Sequence, residues 1–123
     1  MLKKVVDHAT GRPIAAGCLL EQKRHGRWVH WYRSGVRRCL GDYDAGLECG
    51  TWTYWYENQH KAAQGFYLEG YEHGLWRYWY EDGALRAQGE YRHGDQHGTW
   101  TYRDDEGRIE RIEQWDEGKL LRR

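Results

Sequence analysis

The sequence predicts an all-β fold, an elongated single-sheet antiparallel meander of about five β-hairpin repeats. A glycine followed two residues later by a tryptophan recurs every 24 residues without insertion or deletion: Gly26 and Trp28, Gly50 and Trp52, Gly74 and Trp76, Gly98 and Trp100. A second glycine and a tyrosine keep the same period: Gly41, Gly65 and Gly89, and Tyr43, Tyr67 and Tyr91. A fixed period of this length with invariant glycines and aromatics indicates a repeat architecture.

The 123 residues suffice for one repeat domain, whose core must come from 8 Trp and 10 Tyr because aliphatic residues are few. We divide the chain into a degenerate capping repeat (1–25), three regular repeats (26–49, 50–73, 74–97) and a degenerate C-terminal repeat (98–123). Lys4 stands where the first repeat should have its Trp, and Arg103, Asp104 and Glu113 replace apolar or glycine positions in the last. Terminal repeats commonly become polar, so we predict caps at both ends.

The third repeat sets the hairpin register. Its aromatic run, Trp76 to Tyr80, favours a strand, and Asp82-Gly83 is preferred in two-residue hairpin turns. This turn predicts the following cross-strand pairs: Trp76 with Gly89, Tyr78 with Ala87, Tyr91 with Gly74, Trp28 with Gly41, Trp52 with Gly65, Tyr43 with Gly26 and Tyr67 with Gly50. Each ring could then lie over its glycine partner, which fixes register. The second repeat has Asn58-Gln59 at this turn and is expected to differ.

A second tryptophan column lies three residues after the first. Since side chains alternate between the faces of a strand, Trp31, Trp55 and Trp79 should point away from the first column. Their predicted cross-strand partners are Arg38, Ala62 and Arg86, which would give two cation–π pairs. This column either packs against neighbouring side chains or a second copy, or forms a binding surface.

Charge and cysteine content narrow the function classes. The 19 basic and 19 acidic residues cancel, so no nucleic-acid partner is expected and membrane association is unfavourable. Three cysteines at unequal spacings favour free thiols, and the apolar run from Ile14 to Leu20 is too short to span a bilayer. Together with the absence of a recognisable signal peptide, this predicts a cytoplasmic protein.

The candidate chemical groups are better explained by structure than by catalysis. His25, His73 and His97 occupy the same position in different repeats and are at least one repeat, or about 10 Å, apart, which is too far to share a metal ion, so we expect them to stabilise turns. His93 and His97 lie within a loop and give a weak metal signal. Cys39 should face His30 without a third orienting group, and residues 104–106 form an acidic hairpin turn. We predict no catalytic residue, no metal and no cofactor.

The pattern Gly-x-Trp-x-Tyr-Trp-Tyr-x-x-Gly, followed by Gly-x-Tyr-x-x-Gly-x-x-His-Gly, resembles the MORN repeat variant of bacterial proteins commonly labelled toxin–antitoxin antitoxins. The resemblance covers residues 17 to 118, with Cys49 replacing the histidine of the His-Gly turn. It implies a protein that binds and neutralises a partner, although MORN-type repeats also serve as scaffolds and lipid-associated modules. It implies no catalytic residue.

These observations favour a non-enzymatic protein-binding module, antitoxin- or immunity-like, that binds its partner through Trp31, Trp55, Trp79, Arg38 and Arg86. Exposed aromatics flanked by arginines are typical of protein interfaces. The alternatives are a choline- or glycan-binding aromatic repeat module and a peripheral membrane scaffold. A homo-oligomer is also compatible with the sequence.

Overall fold

The computed structural model describes all residues from Met1 to Arg123 and confirms the predicted all-β meander. Eleven antiparallel strands form one open sheet in chain order. The strands are β1 (Leu2–Val6), β2 (Pro13–Leu20), β3 (Lys23–Trp31), β4 (Arg37–Asp44), β5 (Leu47–Trp55), β6 (Lys61–Leu68), β7 (Tyr71–Trp79), β8 (Leu85–Arg92), β9 (Asp95–Arg103), β10 (Ile109–Asp116) and β11 (Lys119–Arg122). The chain has no helix that could cross a membrane.

Tight two-residue turns line one edge of the sheet. In each, both central residues have positive φ, for example Glu69 (50°) and Gly70 (86°), as a type I′ turn requires. The glycine N–H also donates to a carbonyl of the preceding repeat, from Gly70 to Glu48 at 2.9 Å and from Gly94 to Glu72 at 2.9 Å. These turns therefore join neighbouring repeats as well as neighbouring strands.

Wider turns line the opposite edge, and here the predicted two-residue turn is wrong. Gly83 donates to Tyr80 O (3.0 Å) and Tyr80 donates to Ala84 O (2.8 Å), while only Gly83 within the turn has positive φ. This is a three-residue loop in which a type I turn is followed by a left-handed residue. Gln59 occupies that left-handed position in the second repeat, with φ 75°, and keeps the same bonding, so this turn does not differ as expected.

The histidine-glycine pairs lie within strands, which corrects their assignment to turns. Gly74 has φ 73° inside β7, and the register against β6 shifts between Gln64 and Phe66. A left-handed glycine at an interrupted ladder is a β-bulge. The equivalent glycines of β3, β5 and β9 have φ between 69° and 73°. A glycine bulge of this kind recurs once in each repeat and increases the twist of the ribbon.

The first tryptophan column is the core. Trp28 and Trp100 are 1% and 2% exposed, and the predicted hairpin partners of this column are confirmed, including Trp52 with Gly65 and Trp76 with Gly89. The rings, however, cover other glycines than expected. A Cβ built on Gly41 would lie 2.1 Å from the Trp52 ring, so each indole covers the glycine of the preceding hairpin.

The tyrosines at 43, 67 and 91 connect these indoles instead of covering glycines. Tyr67 stands edge-on between Trp52 (82°, centroids 5.8 Å apart) and Trp76 (83°, 5.1 Å), and Tyr43 and Tyr91 repeat this arrangement. Nothing lies within 4 Å of a Cβ built on Gly74, so Tyr91 does not cover it. Alternating perpendicular rings, a favourable geometry for aromatic pairs, thus run along one face, hereafter the aromatic face.

Glu113 ends the aromatic series. It replaces the repeat glycine and is 3% exposed. Its carboxylate accepts hydrogen bonds from Arg111 Nε (3.0 Å), Arg123 Nε (3.2 Å) and Trp115 Nε1 (3.1 Å). Burial raises its pKa, but the hydrogen bonds from Trp115 and Arg111 and the Arg111 charge outweigh burial and hold the pKa below its usual value. An ion network therefore takes the place of an indole at this end.

Candidate functional site

The second tryptophan column pairs one residue earlier than predicted. Trp31 lies opposite Arg37, Trp55 opposite Lys61 and Trp79 opposite Leu85. The register shifts just before each pair because the three-residue loop introduces a bulge. Arg38, Ala62 and Arg86 are the extra residues of these bulges, so they are not cross-strand partners of the tryptophans.

The bulge places Arg38 and Arg86 with the aromatic face. The Arg86 guanidinium carbon lies 5.8 Å from the centre of the Tyr78 ring, and both arginines are exposed. Between them lies a groove of about 520 Å³, hereafter the Ala62 groove, formed mainly by aromatic and alanine side chains. Its lining is Tyr32, Arg38, Tyr54, Trp55, Tyr56, Ala62, Ala63, Tyr67, Glu72, Trp76, Tyr78 and Arg86.

The groove is open because of one small side chain. Arg38, Ala62 and Arg86 occupy the same position in successive repeats, so the middle repeat lacks the long side chain that both neighbours have. The floor is held rigidly: Tyr54 and Tyr67 hydrogen-bond through their hydroxyls at 2.7 Å. Burial raises the pKa of both phenols, so they stay neutral. The groove is thus an apolar surface with a hydrogen-bonded floor, between two exposed cations.

The tryptophans of the second column lie along the edge with the three-residue loops. All three are half-buried. Arg37 lies over the Trp55 ring at 4.4 Å from its centre and lines a cleft of about 280 Å³ with it. One repeat further, Trp79 and Lys61 line a cleft of about 430 Å³ together with Gln59, His60, Asp82 and Gly83. The two predicted cation–π pairs, Trp31 with Arg38 and Trp79 with Arg86, are therefore wrong, and the contact of this kind in the column is an unpredicted one between Arg37 and Trp55.

The structure brings together three of the five predicted contact residues. Trp55, Arg38 and Arg86 line the Ala62 groove, whereas Trp31 and Trp79 do not. Sequence reasoning missed Ala62 and the tyrosine floor because it treated the first aromatic column only as core. The signal was present: Ala62 is the one small residue between two arginines in its column.

The Cys39–His30 pair forms as predicted and is buried. Burial raises the pKa of the Cys39 thiol, so the reactive thiolate is disfavoured. Burial, together with the charges of Arg24 and Arg38, lowers the pKa of His30 to about 4. A neutral imidazole beside a neutral thiol indicates packing. Cys18, Cys39 and Cys49 are all free.

Comparison with known proteins supports the repeat class. Residues 72–93 match the family described as MORN repeat variant. No curated protein sequence matches the chain. One similar solved structure is "Crystal structure of GtfA/B complex bound to UDP and GlcNAc", with a TM-score of 0.34 and 16% identity over 90% of this chain and 21% of that chain. The match at residues 72–93 assigns most of the third repeat to the MORN repeat variant and supports a MORN-type repeat chain.

Proposed function

We propose that the chain is a non-enzymatic protein-binding module whose partner inserts an apolar side chain into the Ala62 groove. The observation that carries this proposal is the rigid aromatic floor between the exposed cations Arg38 and Arg86. Aromatic and arginine side chains contribute most of the binding energy in protein interfaces. The partner should carry acidic residues beside its apolar anchor, because two guanidiniums flank the groove against one carboxylate, Glu72.

The resemblance to antitoxin-like MORN proteins supports a narrower role, in which the partner is a toxic protein that binding neutralises. Occupation of the groove would hold the partner through one rigid surface without any chemical step. We place this activity in the cytoplasm, where the free thiols of Cys18, Cys39 and Cys49 would stay reduced.

The test is Ala62→Arg, which restores the residue found in both neighbouring repeats and fills the groove. Because arginine is native at this position in the adjacent hairpins, the sheet should remain folded. We expect partner capture from the native host to fall at least tenfold, with an unchanged β-sheet circular dichroism spectrum. Thr99→Arg, an exposed change elsewhere on the ribbon, is the matched control. Full capture by the Ala62→Arg protein would contradict the groove as the binding surface.

The antitoxin role needs a separate measurement. The captured partner should arrest growth when expressed alone and lose that effect when co-expressed with the wild-type chain. Ala62→Arg should not rescue growth. A captured partner that is harmless when expressed alone would remove the antitoxin role and leave the binding module.

A further inference from the structure

The eight tryptophans differ in whether their indole N–H groups are used. The buried column donates to backbone carbonyls, with Trp28 to Cys18 at 2.9 Å and Trp76 to Phe66 at 3.0 Å as examples. Trp115 donates to Glu113. Trp31, Trp55 and Trp79 make no such bond, and none of their nitrogens is a buried unsatisfied donor. One solvent-accessible N–H donor therefore recurs in each of three successive repeats.

Two of these tryptophans line clefts that also contain a cation. Trp55 shares its cleft with Arg37, and Trp79 shares its cleft with Lys61. The second cleft also contains Asp82 and His60, so its field is weaker than that of the first. Each cleft thus combines an indole with a positive charge, and neither indole N–H has a hydrogen-bond partner within the chain.

The spacing of the clefts selects the conformation of a bound peptide. Successive repeats are two strands apart, about 9.6 Å. A polyproline II helix advances about 9.3 Å in three residues, returns to the same face, and leaves its carbonyls free to accept hydrogen bonds. Three residues of an extended strand cover about 10 Å but alternate faces, so equivalent side chains would point oppositely. An α-helix advances 5.4 Å per turn and does not match.

We infer that the edge formed by Trp31, Trp55 and Trp79 binds a proline-rich acidic peptide segment in the polyproline II conformation. Proline rings pack on the indoles, peptide carbonyls accept their N–H groups, and carboxylates meet Arg37 and Lys61. Seven to nine residues, about three turns, would span the three tryptophans. This inference rests on the proposed protein-binding function and adds a second contact, at the loop edge, to the Ala62 groove.

The experiment titrates the full ¹⁵N-labelled chain with a nine-residue Glu-Pro-Pro repeat peptide and follows the eight indole N–H signals. We expect concentration-dependent shifts for Trp31, Trp55 and Trp79 and none for the other five. A Glu-Gly-Gly peptide of the same length and charge should bind at least tenfold more weakly, because it is not preorganised. Equal affinity for both peptides would mean that binding depends on charge alone and not on the polyproline II conformation, and would overturn the inference.

Matched variants identify the contact. Trp55→Phe with Trp79→Phe keeps the rings and removes the donors, and should weaken the Glu-Pro-Pro peptide at least tenfold, whereas Trp115→Phe should not. Unmoved indole signals, or shifts produced by a chitin oligosaccharide and not by the peptide, would also overturn it. If Ala62→Arg loses partner capture but the wild-type chain does not bind the peptide, only the inference about the loop edge is overturned. If the wild-type chain binds the peptide and Ala62→Arg still captures the partner fully, only the proposal about the Ala62 groove is overturned.

Discussion

The indole of Trp76 covers Gly65, which belongs to the preceding hairpin, and not its own hairpin partner Gly89. A Cβ built on Gly65 would lie 2.0 Å from the Trp76 ring, whereas Gly89 is covered in turn by Trp100. Each repeat therefore completes the core of the one before it. Trp76 fixes the contact further by donating its N–H to the carbonyl of Phe66, the residue after Gly65.

Substitution of Gly65 by alanine should destabilise the protein by about 2 kcal/mol or more, because a methyl group would overlap the Trp76 ring and force it off its site. Gly74→Ala is the matched control: nothing lies within 4 Å of its Cβ, so it tests the left-handed backbone alone. Urea unfolding followed by tryptophan fluorescence measures both. Because Gly65 has no left-handed φ, an unchanged free energy of unfolding in Gly65→Ala would show that the indole contact does not restrict residue 65.

Gln59→Gly should stabilise the protein by about 1 kcal/mol. Gln59 holds φ 75° in a turn whose equivalents have glycine, and a side chain in the left-handed region costs roughly 1–2 kcal/mol, part of which glycine loses again through unfolded-state entropy. Gln59→Ala keeps the strain and should leave the midpoint of thermal unfolding nearly unchanged. A lower melting temperature for Gln59→Gly would mean that the side chain contributes more than its backbone strain removes.

His30 should make stability depend on pH between about 6.5 and 4. Burial first, and then Arg24 and Arg38, lower its pKa to about 4, so the unfolded chain binds a proton at higher pH than the folded chain does. The free energy of unfolding must therefore fall as pH decreases through this range. His30→Tyr, which restores the tyrosine of later repeats, should flatten this part of the curve. Denaturation at pH 7 and pH 5 compares them; an unchanged slope would contradict the assignment to His30.

Glu113 should act in a lower pH range. Its folded-state pKa lies below the model-compound value of 4.5, so its contribution is complete above that value and is lost as pH falls through the folded pKa. Glu113→Gln should cost about 2 kcal/mol at pH 7, since the buried carboxylate that pairs with the half-exposed Arg111 loses its charge. As the pH falls below the folded-state pKa of Glu113, the stabilities of the variant and the wild type should converge. Glu117→Gln, at an exposed turn residue, is the control and should not change the free energy of unfolding at pH 7 or its dependence on pH.

The strand order and most of the register could be predicted from sequence because the period and the turn glycines constrain both. Trp76 opposite Gly89 follows from the position of Gly83 alone. The choice of covered glycine could not be predicted: Trp28 lies opposite both Gly17 and Gly41, and only the lean of the ring toward β2 decides between them.

The candidate site was less predictable, for a different physical reason. A two-residue and a three-residue turn place the strand centres in the same register and differ only in the last pair, where the second tryptophan column lies. The bulge moves Arg86 from a partner of Trp79 to the margin of the Ala62 groove. The groove also depends on the absence of a long side chain at position 62. The small size of Ala62 indicates a groove only by comparison with Arg38 and Arg86 at the equivalent positions.

Because each glycine is covered by the tryptophan of the next repeat, the repeats can fold in order from the N-terminus to the C-terminus. As the chain leaves the ribosome, the hairpin containing Gly65 has no lid until Trp76 emerges eleven residues later. Each new repeat covers the glycine of the preceding repeat with its tryptophan, and its own glycine stays uncovered until the next repeat is made. The repeats can therefore fold one after another during synthesis. The series of covering indoles ends at the buried carboxylate of Glu113, which replaces the last repeat glycine.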